Sequence, residues 1–328
     1  MSHVNANPQT LPFHPISRFY QQRFGGKVYK VPLAIAEDCP NRMGLKGMKP
    51  CVFCDEWGSA ARSEAFELSL AEQFSQFQKV IQKRFHAQKY LAYFQAYTNT
   101  FLRLQKLRGH LLEALEFPEV VGVVLGTRPD CLSAGVLDLW NEISARSFIG
   151  VELGVQTFSD SQLEFLQRGH SADDSKRAIE RIAKSTSVNL GIHLIFGLPG
   201  ETDSDIVAAA RICNQLPIQN VKLHHLHVLR NTPLEQLHSR GQFQPVDLQT
   251  YAQRVAIFLD ELNPAIAVHR LAAYAPRWDE LVAPAWTADK MRTHQTIIDH
   301  LHSGGHFQGR LFNHEAGQAA SGADCKIL

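Results

Sequence analysis

The chain has 328 residues, 45% of them hydrophobic and 20% charged, which is enough apolar material for a sizeable core and too much for wholesale disorder. Lysine and arginine total 33 against 32 aspartate and glutamate, a net of +1, so overall charge does not demand a nucleic-acid partner, although a local basic patch is compatible with it. The first residues lack an apolar stretch behind a basic one, and no uncharged apolar run approaches the roughly 18 residues of a membrane span; neither a secretory leader nor a membrane span is expected, and a cytoplasmic location is.

In chain order, residues 1–27 are polar and read as an N-terminal arm. From there apolar strands alternate with amphipathic stretches. Strands are predicted at 28–36, 90–96, 120–125, 148–155, 188–196 and 220–228, several of them continuous apolar runs such as EVVGVVLG and FIGVELGV, the pattern of parallel strands buried on both faces. Helices are predicted at 68–88, 101–116, 133–146, 160–167, 172–184 and 203–215, with Ser133, Ser171 and Thr202 placed to cap three of them. Strict alternation argues for an α/β fold, a partial (β/α)6 TIM-type barrel of parallel strands with a C-terminal α+β extension; a complete eight-unit barrel is the alternative. The core is bounded at 28–240. The extension, 241–328, carries helices at 247–262 and 287–302, a short strand at 266–271, and a flexible tail after Phe312.

Three of the six cysteines, Cys39, Cys51 and Cys54, lie within sixteen residues in the spacing C-x11-C-x2-C. The two-residue gap lets Cys51 and Cys54 serve one metal centre from a tight turn, and Pro40, Gly44, Gly47 and Pro50 let Cys39 fold back beside them. A structural zinc ion wants four ligands, and no second CxxC or intervening histidine supplies the fourth. A redox dithiol leaves Cys39 without a role. A [4Fe–4S] cluster on three thiolates keeps one iron open, which accounts for the odd number. Spacing leaves all three open; position after the first strand, where barrels carry their chemistry, adds weight to a functional centre.

Taken in order, CPNRMGLKGMKPCVFC, YFQAYTNTF, GTRPDCL, ELGVQT, RGH, HLIFGLPGET and KLHHLHV resemble the radical S-adenosylmethionine (SAM) enzymes, most closely the YhcC-like subfamily related to the Elongator catalytic subunit. The likeness covers about residues 15–300. It implies that Cys39, Cys51 and Cys54 bind a [4Fe–4S] cluster, that the fourth iron is chelated by SAM, and that an electron from the cluster cleaves SAM to methionine and a 5′-deoxyadenosyl radical that takes hydrogen from a substrate. An electron donor of flavodoxin or ferredoxin type is implied with it.

The resemblance also assigns residues around SAM. Phe53 occupies the aromatic position that packs the adenine. Thr98 lies where many members carry Gly-Gly-Glu, a motif this chain lacks. Thr127 and Arg128 follow the third strand, with Arg128–Asp130 as a structural pair the alternative. Glu152 and Gln156 sit four apart on one strand and so share a face; a glutamate in an apolar strand needs a partner. Gln156 is expected near the ribose, and the fork of Arg168 suits the SAM carboxylate. Gly197, Pro199 and Gly200 resemble the adenine-binding turn. Lys222 and His224 share one strand face and are candidate substrate contacts, touching an anionic group, as is His193; His225 and His227 share the other, and a second metal there would need further ligands. Cys131, Cys213 and Cys325 are expected not to be ligands.

Relatives of this kind make tRNA the candidate substrate, specifically a wobble-uridine side chain, with Arg18, Arg23, Lys27 and Lys30 available for phosphates or simply solvated. Acetyl transfer of the Elongator kind is not expected, since no acetyltransferase domain is read in these residues, and one cluster motif argues against sulfur insertion. A non-catalytic cluster-binding sensor and a structural zinc protein are the rival readings.

Overall fold

The apolar runs become the strands of one parallel sheet. The computed structural model describes residues 11–36, 38–55, 58, 67–275 and 278–313. Helix α1 (Ile16–Phe24) leads into β1 (Val28–Leu33). There follow α2 (Leu70–Phe85), β2 (Lys89–Phe94), α3 (Leu104–Leu115), β3 (Val120–Thr127), α4 (Ala134–Ser144) and β4 (Phe148–Gln156). Next come α5 (Asp160–Phe165), α6 (Ala172–Ser185), β5 (Asn189–Phe196), α7 (Asp203–Gln215) and β6 (Asn220–His225). The remainder comprises β7 (Val228–Leu229), α8 (Pro233–Ser239), α9 (Leu248–Glu261), β8 (Ala267–Val268), β9 (Leu281–Ala283) and α10 (Lys290–Ser303).

Seven strands pair in the order β1-β2-β3-β4-β5-β6-β8, every neighbour parallel. The sheet curls until its two edges meet across the interior: Lys30 Nζ on β1 lies 3.2 Å from Nδ1 of His269, the residue after β8. The result is the expected partial barrel. Residues alternate along each strand between a helix-facing apolar layer and the interior. On β6, Val221 and Leu223 join the core with Trp140 of α4 and Phe258 of α9, whereas Lys222 and His224 face inward.

Ser133, Ser171 and Thr202 cap α4, α6 and α7 as expected, and the latter two form reciprocal capping boxes with Asp174 and Asp205. Ser171→Ala removes one such box and is expected to lower stability by about 1 kcal/mol, read as a shift of the urea midpoint at unchanged slope.

Three features differ from the sequence reading. The short strand of the extension, β8, is the seventh strand of the main sheet, held to β6 through Asn220–Ala267 and Val221–Val268; two residues are too short to carry a periodic signal of their own. The N-terminal segment, read as an arm, carries α1 from residue 16. Tyr20 is buried and packs edge-on to Phe148 at the start of β4, and the His14 carbonyl accepts the Val268 amide at 2.8 Å, capping the open edge of the sheet. Aromatics at Tyr20 and Phe24, one helical turn apart, and the left-handed Gly25 (φ 68°) were the available signals. Lastly, α8 and the antiparallel β7–β9 pair were not anticipated. Cys325 lies outside the described residues, and among those described no helix is long and apolar enough to cross a membrane.

Candidate functional site

The C-terminal ends of the strands open onto a cavity of about 320 Å³ whose lining includes Cys39, Cys51, Cys54 and Arg168 near the mouth and Glu152, Lys222, His224 and Arg270 deeper in. The cysteine loop is held there by buried polar residues. Gln73 of α2 bonds both backbone groups of Ala34 as the chain leaves β1 (2.8 and 3.1 Å). Asn41 is fully buried; its amide donates to the Lys49 and Gln167 carbonyls, and its oxygen accepts from Arg128. The Val52 amide donates to the Leu166 carbonyl, and the Val52 carbonyl accepts from Leu234 of α8. The loop is thus tied to the turn after α5 and to α8, and the Cys54 amide closes a tight turn on the Cys51 carbonyl at 3.0 Å.

All three thiols are unbonded to one another and line the one cavity. Burial pushes the Cys54 thiol far up, helped by the neighbouring Cys51, Asp55 and Cys39. Among the described residues no three of His, Cys, Asp and Glu converge closely enough to hold a single ion. Three free thiols on one cavity supply one thiolate to each of three irons and leave the fourth open, so the donor set fits a [4Fe–4S] cluster.

Arg168 sits against this loop. One Nη donates toward Cys51 Sγ at 3.4 Å and the other to the Gly154 carbonyl at 2.9 Å, while Nε is buried and unpartnered, so the five N–H groups of the guanidinium are only partly used. Gln156, beside it, adopts a left-handed backbone (φ 72°) where the β4–β5 register shifts, a conformation that non-glycine residues keep mainly at functional positions. Ala96 and Tyr97 do the same at the end of β2 (φ 72° and 49°), beside Thr98, which is buried and lines the cavity. Phe53 lines it too, while also packing against the Val52–Leu166–Leu234 cluster.

Thr127 and Arg128 line the same cavity, each held by further hydrogen bonds. Arg128 forms a bidentate pair with Asp130 (both 2.8 Å) and donates to Asn41 and, at 2.6 Å, to the Arg168 carbonyl, so the structural pair is present and buttresses the cysteine loop. Thr127 shares a 2.5 Å hydrogen bond with Thr100. Gly197, Pro199 and Gly200 stand outside the cavity lining. Gly197 is required by its φ of 84° and by Val246 Cγ1, 2.7 Å from where a Cβ would stand, and Pro199 and Gly200 are exposed.

Deeper in, one buried carboxylate gathers the barrel together. Glu152 accepts from Lys30, from Lys222 (3.0 Å), from the Tyr93 hydroxyl (2.8 Å) and from His193 Nε2 (2.6 Å), with His269 3.6 Å away. These are the partners its place in an apolar strand demanded. Lys30 is therefore inside the barrel, not on an arm available to phosphates, because the alternation of β1 turns its side chain inward. Burial works against the Glu152 charge, but Lys222, Lys30 and His269 hold its carboxyl well below the usual range. Burial, Arg270 and Lys30 pull Lys222 down to about 7 against the opposing attraction of Glu152. Burial and Lys222 hold His193 at about 4, and burial and Arg270 hold His224 well below its ordinary value, so both imidazoles are neutral at pH 7.

His225 and His227 also line the cavity. His225 bonds Thr287 at 2.8 Å and packs on Trp286, ring centres 4.0 Å apart. Cys213 is buried within α7, and Cys131 lies outside the lining. Arg270, Asn41, Gln73 and Tyr93 were missed by sequence reasoning; Asn41 and Tyr93 lie inside quoted motifs without standing out there, and each of the four has a partner more than 35 residues away.

A parallel half-barrel with three clustered cysteines after its first strand defines a class, and the comparisons agree. Residues 35–213 match the Radical SAM superfamily and residues 218–303 the Radical SAM C-terminal domain; the chain belongs to the radical SAM superfamily. It is 31% identical over 300 residues to the uncharacterised protein YtqA of Bacillus subtilis (92% of each chain) and 32% identical over 270 residues to YhcC of Escherichia coli (82% of this chain, 85% of that one). The fold resembles that of the archaeal Elp3 from Methanocaldococcus infernus (TM-score 0.64, 17% identity, 86% of this chain and 64% of that one). A shorter likeness, 27% over 144 residues, relates 41% of the chain to 26% of the tRNA uridine(34) acetyltransferase of Methanocaldococcus jannaschii.

Proposed function

We propose that this radical SAM enzyme holds a [4Fe–4S] cluster on Cys39, Cys51 and Cys54 and uses it on SAM to take a hydrogen atom from a substrate seated deeper in the barrel. The observation that carries the reading is the convergence of three unpaired thiols and the half-satisfied Arg168 on one cavity. The bound cluster would supply the electron for reductive cleavage of SAM. The chain's own part is binding and exclusion of water. Arg168 offers its free Nε to the SAM carboxylate, Phe53 an apolar face to the adenine, and Gln156 and Thr98 hydrogen bonds to the ribose and amino group. Thr127, Arg128 and Gly197 act at one remove, by fixing the loops, and Glu152 by positioning Lys222 and His193. A flavodoxin- or ferredoxin-type protein is the fitting donor.

The test is anaerobic release of 5′-deoxyadenosine from SAM by reconstituted, reduced protein. Release supports the reading; a protein that forms a cluster and binds SAM but never cleaves it, with or without substrate, returns the sensor to first place. Gly154→Ala probes the SAM contacts. A Cβ there would stand 2.7 Å from Gln156 Nε2 and 3.1 Å from Arg168 Nη2, both ends of flexible side chains. The fold should survive, with the melting temperature within about 3 °C of wild type, while SAM affinity drops roughly tenfold, about 1.4 kcal/mol. Unchanged SAM affinity would remove Gln156 and Arg168 from the assignment.

A tRNA substrate is supported by the partial likeness to the tRNA uridine(34) acetyltransferase. A band shift of undermodified tRNA that weakens steeply with salt is expected of it; no shift at low salt excludes it.

A further inference from the structure

The deep end of the cavity carries a charge that no carboxylate among the described residues answers. Lys30 and Lys222 share the single carboxylate of Glu152. A third cation, Arg270, lies two residues past β8 and also lines the cavity. One of its Nη atoms lies 2.8 and 3.0 Å from the ring nitrogens of His224, which is uncharged at neutral pH. Its Nε is buried without a partner. No carboxylate among the described residues pairs with it, and Asp55, the other acid lining the cavity, is next to Cys54 in the mouth. Three cations against one carboxylate is an arrangement that burial penalises, and that sites adopt where a ligand completes it. A guanidinium presents a planar fork matched to two oxygens of a carboxylate or phosphate.

We propose that Arg270, flanked by Lys222 and His224, is the anchor for an oxyanion group of the substrate, a carboxylate or a phosphate, so that the molecule whose hydrogen is abstracted is an acid. This rests on the radical reading for the word substrate, and on the cavity alone for the binding site. It assigns the two ends of the cavity different anions: the SAM carboxylate to Arg168 beside Cys51, and the substrate's oxyanion to Arg270. It also bears on Lys222, which burial first and Arg270 and Lys30 after it hold down: an anion beside it would offset that penalty by favouring the ammonium.

The experiment is calorimetric titration of the full-length, cluster-reconstituted protein with inorganic phosphate and with acetate, at constant ionic strength, with and without saturating SAM. At least one oxyanion is expected to bind with SAM in place, and to bind Arg270→Met at least tenfold more weakly. Preference for phosphate points to a phosphorylated substrate and preference for acetate to a carboxylic acid. Acetate, ionised throughout, is expected to bind more weakly as pH rises from 6 to 8.5 and Lys222 loses its proton. Should R270M not fold, R270K keeps the charge without the fork and is expected to lose the preference between the two probes. The proposal is overturned if neither oxyanion binds the SAM-saturated protein, if SAM displaces them, which would give Arg270 to the cofactor, or if R270M binds them as wild type does. Deoxyadenosine release is read separately: oxyanion binding without SAM cleavage keeps this site and sinks the radical reading, and cleavage without oxyanion binding does the reverse.

Discussion

Cys51→Ala is expected to abolish the broad absorbance near roughly 400 nm that a reconstituted iron–sulfur protein shows, and to reduce 5′-deoxyadenosine release by on the order of a thousandfold or more. The loss would be one of ligation and not of folding. The Cys51 side chain faces the cavity, and the backbone around it is held by bonds that the substitution leaves alone, Val52 to Leu166 and to Leu234. A melting temperature close to wild type, beside colourless protein, is the signature. Cys131→Ala is the matched control. That thiol lies outside the cavity that Cys39, Cys51 and Cys54 line, so its removal should leave both colour and release unchanged. A brown, active Cys51→Ala protein would remove the cysteine assignment, and a zinc stoichiometry of one per chain in the wild type would replace it.

The second large effect is on stability. Glu152→Gln keeps the size of the side chain but leaves Lys30 and Lys222 inside the barrel with no counter-charge, an expected cost of about 3–5 kcal/mol and a melting temperature lower by roughly ten degrees. The sign with pH follows from the direction of the Glu152 shift. Its carboxyl is held well below the unfolded value by Lys222 and Lys30, against the opposing effect of burial, so the stabilisation is complete above about pH 4.5 and disappears as pH falls through the folded value. The deficit of E152Q relative to wild type should therefore shrink in acid. Adding Lys30→Met to E152Q removes one stranded charge and is expected to recover part of the loss. If the double variant is less stable than E152Q, packing and not charge explains the effect.

How much of this was legible in the sequence depends on how far each interaction reaches. The six strands and most helices were readable because apolar periodicity and capping residues act within a few positions: Ser171 meets Asp174 three residues on, and β3 declares itself as Val-Val-Gly-Val-Val-Leu. The cysteine spacing was readable for the same reason. The two-residue β8 was assigned to an extension because its membership in the sheet is decided by Val221, 47 positions earlier. Lys30 looked like one basic residue among several near the N-terminus; its inward course depends on β4 supplying Glu152 across the barrel.

The class of fold, the position of the cysteine centre and the inward-facing residues of β6 were readable from alternation and spacing, which are properties of the chain alone. What those residues touch is set by the closing of the sheet. The closed sheet bonds Arg128 to Asp130, Asn41 and the Arg168 carbonyl at the cavity wall, collects Lys30, Tyr93, His193 and Lys222 around one carboxylate, and sets Arg270 beside them with no carboxylate partner among the described residues. Coulomb and hydrogen-bond energies depend on distance in space and on burial, and the closing of the sheet brings together charges that lie scattered along the chain.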